Sequence, residues 1–245
     1  MPLLPKPHVS LYASDKAQYI QALFSQIAPR YDGINRVLSL GRDLAWRRRA
    51  AAQCALQPGR QVLDVATGTG DLAFSLACHV APHGQVIGLD LNAEMLAIAR
   101  KKAGKRDPYR VCRFIQGDAL QLPFPDHAFH AVTIGFALRN VTDISTCLAQ
   151  MYRVLKPDGR MVCLELARPE KRVWRQLHAV YLRLIIPGIG RLGHGVAAPY
   201  QYLANSLTDF PGRKQLVQLM LGVGFKQVHY VNLLGGVATI HVGIA

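Results

Sequence analysis

The chain has 245 residues, 50 % of them hydrophobic, and a formal net charge of +14 from 29 Lys and Arg against 15 Asp and Glu. That length serves one well-buried α/β domain, residues 1–245, with no need of a second, and no stretch reaches the roughly 18 apolar residues of a spanning helix. The opening Met1-Pro-Leu-Leu-Pro-Lys-Pro lacks an apolar secretory core, and the five scattered cysteines form no C-x-x-C pair, so an exported or integral protein and a disulfide framework are excluded in favour of a reduced, cytoplasmic one.

Residues 1–13 are proline-rich and expected to be loose. Ile20, Leu23, Phe24 and Ile27 recur at three- and four-residue spacing, which predicts a helix over Asp15–Ile27 with Ser14 as cap. A turn at Tyr31-Asp32-Gly33 leads to Asn35–Leu40, and Asp43 opens a second helix carrying Trp46 and Arg47-Arg48-Arg49, closed by Pro58-Gly59. Residues 1–58 read as a helical cap. The three arginines read as a solvated helix face; contact with anionic lipid or a lid over a pocket is the alternative.

The centre of the chain is Gln61-Val-Leu-Asp-Val-Ala-Thr-Gly-Thr-Gly-Asp71. A β-branched apolar run reads as a buried strand, small residues permit a sharp turn, and a helix follows from Asp71 to about Val80. Such a turn presents free N–H groups and a positive helix end to an anionic or polar ligand. The dinucleotide pattern G-x-G-x-x-G is missing, since the order here is Asp64-x-Ala66-x-Gly68-x-Gly70. Asp90 closes the next strand, about twenty residues on, where a carboxylate can bridge ribose hydroxyls. Together these residues imply a ribose-bearing cofactor without a pyrophosphate.

Strands predicted near 62–66, 85–90, 111–116, 130–135 and 160–166 alternate with helices near 71–80, 93–103 and 143–155, the pattern of right-handed βαβ units. Asn92 is the expected cap of the middle helix, whose buried face is Met95, Leu96, Ile98 and Ala99 and whose basic end, Arg100 to Arg106, reads as solvated. Gly117-Asp118-Ala119 ends the third strand, where a carboxylate can accept from an adenine amino group or simply form a turn. Residues 167–208 break the alternation with an apolar helix over 173–186 and a glycine-rich loop. That insertion suits the substrate side of a pocket or a membrane interface. A last helix near 213–222 and strands at 225–231 and 237–244 complete the chain.

These features resemble the class I S-adenosylmethionine (SAM) methyltransferases, and over nearly the whole chain the ubiquinone/menaquinone biosynthesis C-methyltransferase family. The matching residues include Phe24 to Asn35, Leu38 to Gly41, Trp46 to Arg48, Asp64 to Asp71, Gly117 to Phe124, Phe136 to Val141, Tyr152 to Pro157, Tyr202-Leu203, Phe210-Pro211, Gly235-Gly236 and His241. The resemblance implies a Rossmann-like, seven-stranded, mostly parallel sheet with helices on both faces. It implies SAM contacts at Thr69, Asp90, Asp118 and Ala119, with Asp64 and Gly70 of the turn also binding the cofactor and Tyr31 folding over it. Gly135 also falls in the site, at a position where ubiquinone-making relatives often carry serine.

The implied reaction is methylation of a polyprenylated quinol, demethylmenaquinol first and a ubiquinone precursor or another small or lipid acceptor as alternatives. SAM already carries an activated methyl, so alignment and water exclusion are what the protein must add; no His/Cys metal spacing and no G-x-S-x-G elbow occurs. A ring carbon gains nucleophilicity as its neighbouring hydroxyl loses a proton. Arg139 is therefore expected to stabilise the phenolate or orient a base water, with Asn140 holding its neighbour or the cofactor; an Arg139–Asp143 pair is the structural alternative. His241 reads as structural rather than pocket-facing, and His194 and Tyr202 are candidate bases. The basic surface favours an anionic membrane over nucleic acid, because no aromatic RNP pattern accompanies the dispersed arginines, although simple solubility also accounts for it. Peripheral attachment to a membrane follows; a homo-oligomer is left open.

Overall fold

The computed structural model describes residues 13–104, 107–169, 174, 206–207 and 210–245. In chain order the elements are α1 (Ala13–Ile27), a 3-10 turn (Ala28–Arg30), α2 (Tyr31–Leu38), α3 (Asp43–Gln53), β1 (Gln61–Val65), α4 (Asp71–Val80), β2 (Gln85–Asp90), α5 (Ala93–Ala103) and β3 (Cys112–Gln116). They continue with β4 (Phe129–Gly135), a 3-10 turn (Leu138–Asn140), α6 (Ile144–Arg153), β5 (Leu155–Leu166), α7 (Arg213–Val223), β6 (Lys226–Leu233) and β7 (Ala238–Ile244). The expected helix over 173–186, with His194 and Tyr202, lies outside the described residues.

Among the described residues, seven strands form one sheet in the order β3-β2-β1-β4-β5-β7-β6. Pairs β3–β2, β2–β1, β1–β4 and β4–β5 are parallel, whereas β7 runs antiparallel to both β5 and β6. The chain proceeds outward from β1 through β2 to β3 and then returns to the other side of β1 with β4. The order therefore reverses beside β1, which opens a crevice at the carboxyl ends of the strands.

Both faces of the sheet are covered, so alternate residues of one strand enter different cores. Val62 packs with Trp46, Ala50, Leu72, Leu76 and Leu96 beneath α3, α4 and α5. Its neighbour Leu63 packs with Leu148, Met151, Leu216 and Met220 of α6 and α7. Asn92 caps α5 by accepting from the Met95 amide at 2.9 Å, as its sequence position predicts.

Three expectations change. Tyr31 and Asp32 open helix α2 rather than sit in a turn, because Pro29 occupies the first turn of the short helix that leads into it. The helix opening at Asp43 stops at Gln53, well short of Pro58, and β5 begins at Leu155, with Asp158 turned at φ 61° before the ladder resumes at Arg160.

Candidate active site

The crevice contains a cavity of about 180 Å³ lined from the ends of β1, β2, β3 and β4. Gly117, Asp118 and Ala119 follow β3, Asp90 ends β2, Thr67, Gly68 and Thr69 follow β1, and Gly135 to Ala137 end β4. Ile20, Gln21, Phe24 and Tyr31 close it from the N-terminal helices, and the wall also includes Arg47, Asp71, Asn92, Met95, Asn140, Val141 and Thr142.

The β1–α4 turn has the tightest backbone. Ala66, Gly68 and Gly70 have φ of 51°, 57° and 86°, in the left-handed region that glycine enters freely and alanine only at a cost. The Gly68 amide donates to Asp90 Oδ2 at 2.7 Å, and the Asn92 amide donates to Oδ1 at 2.8 Å. Two backbone donors thus aim the carboxylate and leave it acceptor capacity toward the cavity. Burial raises the Asp90 carboxyl above its ordinary range, and the amides of Asn92, Gly68 and Leu91 offset part of that. Asp118 accepts from the Leu120 amide at 2.8 Å through Oδ1.

Of the residues expected from the sequence, Tyr31, Thr69, Asp90, Asp118, Ala119, Gly135 and Asn140 come together around this cavity. Asp64, Gly70 and Arg139 stand behind it. Asp64 is buried and accepts from Thr67 Oγ1 and Thr133 Oγ1, both at 2.6 Å, so it shapes the turn from below. Gly70 is the left-handed residue ahead of α4; a Cβ there would lie 3.0–3.1 Å from Phe74 and Phe114. Arg139 Nη1 donates to Glu165 Oε1 at 2.5 Å and to the Phe136 carbonyl at 2.6 Å, and both side chains are buried. Its acidic partner is Glu165 of β5, while Asp143, the alternative read from the sequence, caps α6 through the Thr146 amide at 3.0 Å. His241 points away from the cavity and donates from Nε2 to the Arg213 carbonyl at 3.1 Å.

Lys102, read with the rest of the basic end of α5 as solvated, is paired instead. Lys102 Nζ reaches Asp32 Oδ2 at 2.8 Å and Asp71 Oδ1 at 2.6 Å, and Arg36 Nη2 reaches Asp71 Oδ2 at 2.8 Å. Arg36 also pairs with Asp43, and Thr69 Oγ1 donates to Asp32 Oδ1 at 2.5 Å, so charged groups clasp α2 onto the glycine turn. Burial by itself would raise the Asp71 carboxyl, but Lys102 and Arg36 outweigh it and hold the group below its ordinary range. Arg47 is buried against the cavity, whereas Arg48 and Arg49 are exposed. No local pattern marks Arg47 among three consecutive arginines; only its face of α3 does. Ile20, Phe24 and Met95 were legible as apolar stripe residues, but the stripe could not reveal that they border a cavity rather than a closed core.

A demethylmenaquinone methyltransferase of Deinococcus radiodurans is 45 % identical over 229 residues, covering 94 % of this chain and 93 % of the relative. The demethylmenaquinone methyltransferase of Thermus thermophilus is 47 % identical over 221 residues, covering 90 % of this chain and 99 % of the relative. Among solved structures, a SAM dependent methyltransferase from Aquifex aeolicus superimposes with a TM-score of 0.62 at 17 % identity, covering 86 % of this chain and 97 % of that one, which speaks to the fold. The model of the ubiE/COQ5 methyltransferase family matches residues 12–245, and the chain belongs to that family.

Proposed function

We propose that this chain is a SAM-dependent methyltransferase acting on a ring carbon of a polyprenylated quinol, demethylmenaquinol, drawn from a membrane surface. The observation that carries the reading is the row of polar groups along one crevice, Asp118 at β3, Asp90 at β2 and Thr69 at β1, with an apolar wall beyond them at β4. An adenosyl group fits these residues: Asp90 keeps acceptor capacity for two ribose hydroxyls, Asp118 has a second oxygen for an adenine amino group, and Gly68 adds no side chain between them. When bound, SAM supplies a methyl carbon on a sulfonium. The chain's residues must then hold the acceptor in line and keep water out.

Phe136, Ala137, Asn140, Val141 and Thr142 form the wall beyond the nucleoside residues, and they suit a flat apolar ring with a polar edge. Asn140 is the residue assigned to a quinol oxygen. Arg139 is assigned to positioning: its ties to Glu165 and the Phe136 carbonyl hold the 136–140 loop, whose first residue has φ 59°. With Glu165 sharing its charge, it acts on a phenolate through that loop and not by contact.

The test is transfer of labelled methyl from SAM to demethylmenaquinol in anionic liposomes. Label is expected on the ring, and Glu165→Gln is expected to lower turnover about 100-fold by loosening the loop while leaving S-adenosylhomocysteine affinity unchanged. No label from protein that binds the cofactor would sink the assignment; a faster rate on a benzoquinol precursor would move it to ubiquinone. Peripheral membrane attachment rests on the +14 charge and on exposed Val37 and Leu40, 50 % and 65 % accessible, beside exposed Arg42. Co-sedimentation with anionic but not zwitterionic vesicles, falling as salt rises, is expected.

A further inference from the structure

Arg47 is 5 % exposed and reaches the cavity from α3. Its guanidinium stands 5.0 Å from the centre of the Phe136 ring, and a Cβ on Gly135 would lie 3.5 Å from Nη1. Its ion-pair contact is Asp43, at 4.0 Å from Nε, and Asp43 is already engaged by Arg36 and by Ser39 Oγ at 3.0 Å. Among the described residues, Arg47 Nε has no hydrogen-bond partner. Its charge also acts on the Asp64 and Asp71 carboxyls, but Asp64 is bonded to Thr67 and Thr133 and Asp71 to Lys102 and Arg36. A buried guanidinium whose neighbouring carboxylates are engaged by other donors favours a further anion on its cavity side.

The strand order says which anion arrives. With adenine at Asp118 on β3 and ribose at Asp90 on β2, the rest of the cofactor continues in the same direction past β1 to β4, where Arg47 lies beside Gly135. The one carboxylate of SAM is at that far end. We propose that Arg47 binds the α-carboxylate of the methionyl part of SAM, its aromatic support from Phe136 aligning the guanidinium for a charge-assisted hydrogen bond. This inference rests on the nucleoside placement proposed above.

Calorimetry with S-adenosylhomocysteine, which keeps the carboxylate, and 5′-methylthioadenosine, which lacks the amino-acid part, separates the two. Arg47→Met should weaken the first by about 10- to 100-fold, the range of a hydrogen bond to a charged group, and leave the second within about twofold; Arg47→Lys should recover part of the loss. Unchanged affinity for S-adenosylhomocysteine, or equal loss of both ligands, would overturn the proposal. Asp90→Asn serves as the separate check on placement and should weaken both ligands together. If Asp90→Asn weakened neither, the nucleoside placement itself would fall.

Discussion

Asp64 accepts from two threonine hydroxyls without touching the cavity, and burial pushes its carboxyl up to about 6, against the lowering effect of those bonds and of Arg47. Its folded-state value lies above the ordinary 3.8, so the native protein binds a proton that the unfolded chain has released between about pH 4 and 6. Stability from this group therefore falls as pH rises through that window, by about 3 kcal/mol at neutral pH. The hydroxyl donors matter most once the carboxylate is charged. Thr133→Val is accordingly expected to cost about 2 kcal/mol at pH 7 and less at pH 5, measured by thermal denaturation at both; an equal cost would show that Thr133 does not stabilise the charge.

α2 is held to α4 and α5 by ion pairs rather than by a deep apolar face. Leu23 and Ile27 of α1 are buried, but no residue of α2 is. Tyr31 packs edge-on against Phe24 with centroids 5.9 Å apart, and a Cβ on Gly68 would lie 3.9 Å from its ring. The position of Tyr31 over the turn thus depends on Lys102, Asp32 and Asp71. Lys102 is 29 % exposed at its side chain, so solvent screens part of the attraction. Lys102→Met should weaken S-adenosylhomocysteine binding by about fivefold, the equivalent of about 1 kcal/mol. Wild-type affinity should fall between low and high salt more steeply than that of the variant; identical salt dependence would mean that the clasp does not govern cofactor retention.

At the scale of the molecule, the antiparallel pair β7–β6 joins the sheet through the β5–β7 ladder, and Arg213 and His241 fasten helix α7 to it. Arg213 Nη2 donates to the carbonyls of Arg168 and Gly236 at 2.7 and 2.6 Å. Burial pushes the His241 ring down to about 4, since its single bond to the Arg213 carbonyl does not offset desolvation and the nearby arginine. The ordinary histidine value is 6.5, so the unfolded chain takes up a proton that the folded one refuses between pH 6.5 and about 4. Stability is lost as pH falls through that window, about 3 kcal/mol in all. His241→Gln should flatten this acid limb while leaving cofactor affinity intact, read from urea midpoints between pH 4 and 7. A limb unchanged in the variant would assign the acid sensitivity elsewhere.

Local chemistry was enough to place most elements and the residues that line the cavity at the ends of β1, β2 and β3. Gly68 and Gly70 in the turn, Asn92 as a cap, Asp90 and Asp118 at strand ends and the two-residue alternation of β1 all act over a few residues, so the linear order of side chains carries them. Contacts distant in sequence are different in kind. Lys102 meets Asp32 across 70 residues, Arg139 meets Glu165 across 26, and Arg47 differs from Arg48 and Arg49 only in the side of α3 it occupies. Placing β7 between β5 and β6 is equally non-local. For each, the free energy comes from removing charge or apolar surface from water at a place that exists only when the sheet has closed. Residue type alone could mark a cation there, and folding decided whether it would meet solvent, a carboxylate or the cavity.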